Sequence, residues 1–178
     1  MKEERSGLII VFTGSGKGKT TASLGLALRG AGHGFQTLMI QFIKGSWKSG
    51  ELGGADMLAP FLDIIPMGKG FIRFDREGPE PEDEQAVREA WELAKRQIAS
   101  DRYDTIVLDE INYVIDYGLL PVEEVLEVLK TKPPSLNLVL TGRNAHPDVI
   151  EAADLVTEMT EVKHPFENGV KARKGIEF

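Results

Sequence analysis

The sequence contains no cysteine, which excludes disulfide bonds, thiolate metal sites and a cysteine nucleophile. It also contains no apolar run that approaches the roughly 20 residues required by a membrane-spanning helix. The first residues, MKEERSGLIIVFTG, place acidic residues before a short apolar run, and this order fits a signal peptide poorly. We therefore expect a cytoplasmic protein without a membrane partner.

Basic charge is scarce as well, because 21 lysines and arginines are outnumbered by 28 aspartates and glutamates, and the formal net charge is -7. Nucleic-acid-binding domains are typically basic, so this balance argues against nucleic acid as a partner. The chain has 178 residues, of which 42% are hydrophobic, and this is enough for one domain with a substantial core. We expect residues 1–178 to form a single domain.

Short apolar segments alternate with helical patterns along the chain. Buried strands are predicted at 7–14, 35–43, 103–110 and 136–143, a brief strand at 62–68, and an edge strand at 154–162. Helices are predicted at 19–29, 83–100, 121–132 and 146–153, whereas loops are predicted at 44–56 and 69–84. This alternation predicts an α/β fold with a mostly parallel central sheet and helices on both faces.

The segment FTGSGKGKTT, Phe12–Thr21, predicts a phosphate-binding loop between the first strand and the first helix. Gly18-Lys19-Thr20 matches the end of the pattern G-x-x-x-x-G-K-[ST], but Thr13 stands at the leading glycine position. Lys19 is expected to reach phosphate oxygens and Thr20 to ligate Mg²⁺. The alternative is a glycine-rich turn that only begins a helix. The nucleotide-binding residues predicted here are Gly14, Ser15, Gly16, Lys17, Gly18, Lys19, Thr20 and Thr21.

Two carboxylates, Asp109 and Glu110, follow the apolar segment TIVL at a predicted strand end. Ligands of parallel α/β sheets bind beyond the carboxyl ends of the strands. A carboxylate at this place can hold a metal ion bound to phosphates, directly or through water. The alternative is a pair of solvated acids, which the neighbouring phosphate loop disfavours.

Other polar and aromatic residues leave their roles open. Arg143 follows another predicted strand and fits a phosphate clamp or a surface arginine about equally. Trp47 and Phe71 lie in glycine-containing loops, where each fits either a contact with a flat ligand or a loop anchor. Trp91 belongs to the apolar stripe of a predicted helix and is expected in the core, and the three histidines show no metal-ligand spacing.

The chain resembles the ATP:corrinoid adenosyltransferases of the cobalamin-synthesis type. The resemblance rests on GLIIVFTGSGKGKTTASLGLALRGAGHG, QFIKG, VLDEIN, TGRNAHPDVIEAADLVTEM and the tail VKHPFENGVKARKGIEF, and it spans Gly7 to Phe178. The tail is its most specific part, because a general ATPase gives that segment no task. The resemblance implies a RecA-like P-loop fold and a homodimer.

The same resemblance implies a reaction. ATP donates its 5′-deoxyadenosyl group to Co(I) of a corrinoid, and its triphosphate part leaves as inorganic triphosphate. The nucleotide is implied to lie reversed in the loop relative to ordinary P-loop ATPases. The implied cofactor is Mg²⁺ or Mn²⁺, held by Thr20 and Glu110 with Asp109 close by, and a flavoprotein is the implied reductant. Lys19 is implied to act on the triphosphate, and Phe71 to help displace the lower ligand of the corrinoid.

The sequence departs from the family pattern at three places. Ser15 replaces the usual asparagine of the loop, which backbone binding should tolerate, and Arg73 stands where many members have tryptophan. An arginine is a poorer apolar wedge, so we expect displacement of the lower ligand to differ. About six residues precede the first predicted strand, where many members have a longer segment that covers the site.

Two other functions compete with adenosyl transfer. A P-loop ATPase or small-molecule kinase would use the same cradle and would release ADP, with Glu110 orienting the attacking group. A nucleotide- or corrinoid-binding module without turnover is the third hypothesis. The intact Lys19-Thr20 and Asp109-Glu110 argue against an inert binder, and the specific tail argues against simple hydrolysis.

Overall fold

The structure, a computed structural model, describes residues 6–45, 49–68, 70, 74–75 and 78–177. Trp47, Phe71 and Arg73 lie outside the described residues. The described residues form a six-stranded sheet, whose strands are β1 (Ile9–Thr13), β2 (Thr37–Gln41), β3 (Leu62–Pro66), β6 (Thr105–Asp109), β7 (Asn137–Thr141) and β8 (Leu155–Glu158). Their order in the sheet is β3-β2-β6-β7-β1-β8, and every neighbouring pair is parallel.

Helices cover both faces of this sheet, and a separate antiparallel pair is formed by β4 (Phe74–Asp75) and β5 (Gly78–Pro79). The helices are α1 (Lys19–Ala31), α2 (Gly50–Leu58), α3 (Pro81–Ile98), α4 (Ile111–Asp116), α5 (Val122–Thr131) and α6 (Pro147–Ala152). This arrangement confirms the predicted α/β P-loop fold class with its parallel sheet. No helix in the described part of the chain combines the length and the apolar character needed to cross a membrane.

Alternate residues of the central strands point to opposite faces of the sheet, which is why these segments are apolar without interruption. In β1, Ile9 and Val11 join the larger core cluster, whereas Ile10 and Phe12 join a smaller one. The larger cluster includes the apolar stripe of α3, in which Trp91 is fully buried as predicted. The smaller cluster is covered by Ala22, Leu24 and Leu26 of α1.

The predicted loop at 44–56 is wrong over its second half, because Gly50–Leu58 forms α2. Its glycines disfavour a helix, but Ala55 and Leu58 pack against Ala27 of α1 and Leu62 of β3. Tertiary packing of this apolar side therefore outweighs the weak local propensity. The sequence interpretation also assigned no element to α4, which is only six residues long.

Strand register brings the polar ends of neighbouring strands together. Gln41 at the end of β2 lies opposite Asp109 at the end of β6, and Phe12 in β1 lies opposite Thr141 at the end of β7. The carboxyl ends of β1, β2, β6 and β7 thus form one edge, and the turn after β1 leads directly into α1. The edge strand predicted at 154–162 is confirmed only over Leu155–Glu158, which forms β8 at the end of the sheet beside β1; residues 159–162 are not part of a strand.

Candidate active site

The phosphate loop occupies residues 14–18, between the end of β1 and the start of α1. Gly18 precedes the helix with a φ of 126°, a conformation that L-residues with side chains rarely adopt. No side chain caps the first turn of α1, which lies within the described residues. The backbone N–H groups at this helix end therefore remain available to an anion, and the helix dipole favours negative charge there.

Lys19 is folded back over the loop that it follows. Its ammonium donates hydrogen bonds to the carbonyl oxygens of Gly14 at 2.7 Å and Gly16 at 2.8 Å, and the residue is buried. Burial lowers its pKa, the charge of Glu110 raises it, and the charge of Arg143 lowers it. A poorly solvated cation held only by neutral carbonyls has much to gain from an anionic ligand such as a phosphate.

The first half of the loop packs against the chain that follows β8. The Gly16 N–H donates to the Met159 carbonyl at 2.6 Å, and the Met159 N–H donates to the Thr13 carbonyl at 2.8 Å. A Cβ atom added at Gly16 would lie only 2.8 Å from that Met159 oxygen. The glycine is thus required by a close backbone approach, and this contact was not evident from the motif.

The departure at Thr13 has a structural explanation. Its hydroxyl accepts a hydrogen bond from the Ala145 N–H at 3.1 Å. Ala145 belongs to the loop after β7, so the threonine ties that loop to the end of β1. A glycine at this position would lose that link.

Asp109 is fully buried and binds three polar side chains. Its Oδ1 accepts hydrogen bonds from the hydroxyls of Thr20 at 2.9 Å and Thr141 at 2.8 Å. Its Oδ2 accepts a longer bond of 3.4 Å from the Gln41 amide. Burial raises the pKa of Asp109, while the hydrogen bond from Thr141, the charge of Lys44 and the bonds from Thr20 and Gln41 oppose that rise. This carboxylate therefore joins α1, β2, β6 and β7 at one point.

Glu110 has a different environment from its neighbour. Its φ of 67° is left-handed, and its N–H donates to the Thr141 hydroxyl at 2.9 Å. Its Oε2 is buried without a hydrogen-bond partner among the described residues. Burial, followed by the charge of Asp109, raises the pKa of Glu110 from 4.5 to about 7, and Lys19, Lys44 and Arg143 act in the opposite direction. A buried carboxylate oxygen without a partner is a group to be explained by a missing ligand or ion.

The remaining predicted residues are less central. Ser15, Lys17 and Thr21 are exposed on the loop and the first turn of α1. Arg143 is exposed, and its charge affects the pKa values of Lys19 and Glu110, so it lies at the margin of the site.

Two histidines have structural roles. His146 and His164 accept backbone N–H bonds, from Asp148 at 3.3 Å and from Phe166 at 3.2 Å, at the start of α6 and of the 3₁₀ helix Pro165–Asn168.

The donor set fits a hard divalent cation such as Mg²⁺. The Thr20 hydroxyl donates its hydrogen bond to Asp109, so its oxygen lone pairs remain free to bind a metal. The unpartnered Oε2 of Glu110 supplies a second oxygen, and phosphate and water oxygens would complete the shell that Mg²⁺ prefers. The described residues contain no group of three or more His, Asp or Glu side chains that could hold a metal by themselves.

Fold and loop together define the class: an α/β P-loop protein with a candidate nucleotide site at the carboxyl edge of its sheet. A solved structure supports the fold, because the chain aligns with the flagellar accessory protein FlaH from Methanocaldococcus jannaschii at a TM-score of 0.51. That alignment covers 86% of this chain and 71% of FlaH at 12% identity, so it speaks only to the fold.

The family follows from sequence. The family model for ATP:corrinoid adenosyltransferase BtuR/CobO/CobP matches residues 5–178, and the chain belongs to this family. It is 44% identical to the corrinoid adenosyltransferase of Escherichia coli K12, over 99% of this chain and 88% of that protein. It is 42% identical, with the same coverage, to corrinoid adenosyltransferase CobA of Salmonella typhimurium LT2. The Pseudomonas aeruginosa corrinoid adenosyltransferase is 38% identical over 99% of this chain and 86% of its own. The family predicted from the sequence is thereby confirmed.

The raised pKa of Glu110 predicts a pH dependence of stability in the absence of metal and nucleotide. Because the folded protein keeps this proton up to about pH 7, the penalty for ionising Glu110 develops between pH 4.5 and 7 and is fully present above that range. Glu110→Gln removes the penalty. The variant should therefore be more stable than the wild type at pH 8, by up to about 3 kcal/mol, and should gain little at pH 4.5.

Urea denaturation at several pH values measures this difference. Glu124→Gln is the matched control, because Glu124 is a carboxylate paired with Arg88 at the protein surface, and its pKa is lowered by that bond. This control should not become more stable at pH 8. A stability gain for Glu110→Gln that does not change with pH would contradict the assignment of a buried, proton-holding carboxylate.

Proposed function

We propose that this chain adenosylates a corrinoid, with the phosphate loop binding the triphosphate of ATP and the ribose C5′ exposed to attack by Co(I). The bond that breaks joins C5′ to the oxygen of the α-phosphate, and the bond that forms joins C5′ to cobalt. The electron pair of the broken bond stays on the triphosphate. Membership of the adenosyltransferase family supports this reaction over hydrolysis or phosphoryl transfer.

The chemistry asks the protein for positioning and for charge, because Co(I) is already a strong nucleophile and requires no base. The triphosphate gains negative charge as it leaves. Lys19, the exposed Lys17 and the free N–H groups at the start of α1 are the groups of this chain that oppose that charge. On binding, the Lys19 ammonium would exchange its two carbonyl partners for phosphate oxygens.

The proposed metal ligands are Thr20 and Glu110, and Asp109 orients Thr20 through its hydrogen bond. A bound Mg²⁺ or Mn²⁺ would supply neutralisation of the triphosphate charge. The proposed metal site is supported above all by the buried Oε2 of Glu110, which has no hydrogen-bond partner among the described residues and is affected by the charge of Lys19.

Two expectations about the corrinoid side of the site remain proposals. Phe71 would help displace the lower ligand, and Arg73 in place of tryptophan would weaken that step relative to other members; both lie outside the described residues. A flavoprotein that delivers the electron for Co(I) is likewise proposed from the family resemblance, and a location in the cytoplasm stays a prediction from the sequence.

Replacement of Lys19 tests the reaction and the site together. Wild-type protein with ATP, Mg²⁺ and chemically reduced corrinoid should yield inorganic triphosphate and adenosylated corrinoid in equal amounts. Lys19→Met should lower kcat/KM by about 100-fold or more, because it removes a cation from the leaving group. Ion chromatography of the phosphates and the visible spectrum of the corrinoid measure both products.

Lys130→Met is the matched control, because Lys130 is an exposed lysine in the last turn of α5. It should leave the rate unchanged. If the products were ADP and orthophosphate and the corrinoid were unaltered, the transferase assignment would be refuted and a P-loop hydrolase or kinase would be favoured.

We also propose a homodimer, and the surface offers support. The segment after β8 exposes apolar side chains, among them Val162 at 93% and Phe166 at 76% of their full accessibility. Exposed apolar residues grouped on one segment are typical of an interface. A second copy of the chain is the occupant expected from the family.

Sedimentation equilibrium tests this assembly. The wild type should have the mass of two chains, and Phe166→Asp should shift the equilibrium toward one chain, because it places a charge in the interface. Met57→Asp, which alters an exposed methionine of α2, should leave the mass unchanged. A wild-type protein that sediments as one chain at all concentrations would refute the dimer.

A further inference from the structure

A chain of polar contacts leads from the surface to Asp109 through the QFIKG segment, which the proposed reaction leaves without a role. Lys44 donates a hydrogen bond to Oε1 of Glu51 and forms an ion pair with it. The same Oε1 accepts a bond of 3.3 Å from the Gln41 amide, whose nitrogen also lies 3.4 Å from Oδ2 of Asp109. The contacts thus form a relay that runs from Lys44 through Glu51 and Gln41 to Asp109.

Burial distinguishes these contacts from an ordinary surface ion pair. Gln41 is 1% exposed, and the Glu51 side chain is 9% exposed, whereas Lys44 is about one-third exposed. Glu51 stands in the first turn of α2, and the hydrogen bond from Lys44 holds its pKa below the usual value against the effect of burial. An ionised carboxylate is therefore kept inside the protein, where it requires partners.

The amide of Gln41 has one chemically sensible orientation here. Its NH₂ group has two protons, and two carboxylates lie within reach of that nitrogen. Turning the amide by 180° would direct its carbonyl oxygen at both carboxylates. The ionised Glu51 thus fixes the orientation in which Gln41 donates to Asp109, and the Lys44 ammonium keeps Glu51 in place.

We propose that Gln41, Glu51 and Lys44 are positioning residues that hold Asp109 in the orientation required to aim the Thr20 oxygen at the metal of the bound nucleotide. One carboxylate oxygen of Asp109, Oδ1, accepts hydrogen bonds from the hydroxyls of Thr20 and Thr141, and the other, Oδ2, accepts one from Gln41. Without the Gln41 bond, the carboxylate is held at Oδ1 alone, so its second oxygen is free to turn and the geometry of the Thr20 bond is less fixed. This inference rests on the proposed function, because it assumes that Thr20 binds the metal of Mg²⁺–ATP.

The test compares ATP binding with and without Mg²⁺ by calorimetry, in the absence of corrinoid. Gln41→Met, Glu51→Gln and Lys44→Met should each weaken Mg²⁺–ATP binding by about tenfold, the effect typical of outer partners of metal ligands. Binding of ATP in excess chelator should stay unchanged, because Lys19 and the loop N–H groups do not depend on the relay. Lys44→Arg, in contrast to Lys44→Met, should keep the wild-type affinity for Mg²⁺–ATP, because it keeps a cation opposite Glu51.

The control is Glu124→Gln, which breaks the Arg88–Glu124 pair at the surface and should change neither affinity. Thermal unfolding without ligand shows whether each variant folds, and Glu51→Gln, which preserves shape, serves if Gln41→Met does not. Equal loss of affinity with and without Mg²⁺ would show a merely structural role and overturn the proposal, as would binding equal to the wild type.

The outcome separates this inference from the proposed function. If the wild type forms adenosylated corrinoid and the variants bind Mg²⁺–ATP normally, the relay is refuted and the function stands. If the wild type forms no such product but the variants lose Mg²⁺-dependent binding, the relay stands and the reaction assignment fails.

Discussion

The site depends on one buried carboxylate, Asp109. Its oxygens accept hydrogen bonds from the helix that follows the phosphate loop and from the strands on either side of its own. A buried charge of this kind is costly unless its partners are fixed, so the fold must hold Thr20, Thr141 and Gln41 in register. The parallel pairing of β2 and β7 with β6 does so for Gln41 and Thr141, and α1 presents Thr20. The next residue, Glu110, has a buried oxygen without a hydrogen-bond partner among the described residues.

Local patterns sufficed to predict the framework. Uninterrupted apolar segments marked the strands because the central strands are buried on both faces, and the polar residues that end β1 and β6 marked the edge that carries the candidate site. The α3 helix was evident from its apolar stripe and from the dipole-matched charges at its ends, although it begins at Pro81, two residues before the predicted start.

Features that depend on distant contacts could not be predicted in the same way. The α2 helix forms because its apolar side packs on α1 and β3, against the preference of its glycines. The threonine at the leading loop position is explained by a bond to Ala145, which is 132 residues away in the sequence. The contact of Gly16 with Met159 and the relay from Lys44 to Asp109 likewise join segments whose proximity only the assembled sheet creates. The candidate ligand set was predictable because one motif and one strand end contain it; the residues that orient this set were not.

The most direct test of the central claim, that the bond between C5′ and oxygen is the one that breaks, uses ATP labelled with ¹⁸O at the oxygen that joins C5′ to the α-phosphate. After reaction with reduced corrinoid, mass spectrometry locates the label. Attack at C5′ predicts that the label leaves entirely with inorganic triphosphate and that the adenosylated corrinoid carries none. Label retained in an adenosine-containing product, with phosphate or diphosphate released, would show that a phosphorus–oxygen bond was broken and would contradict the account.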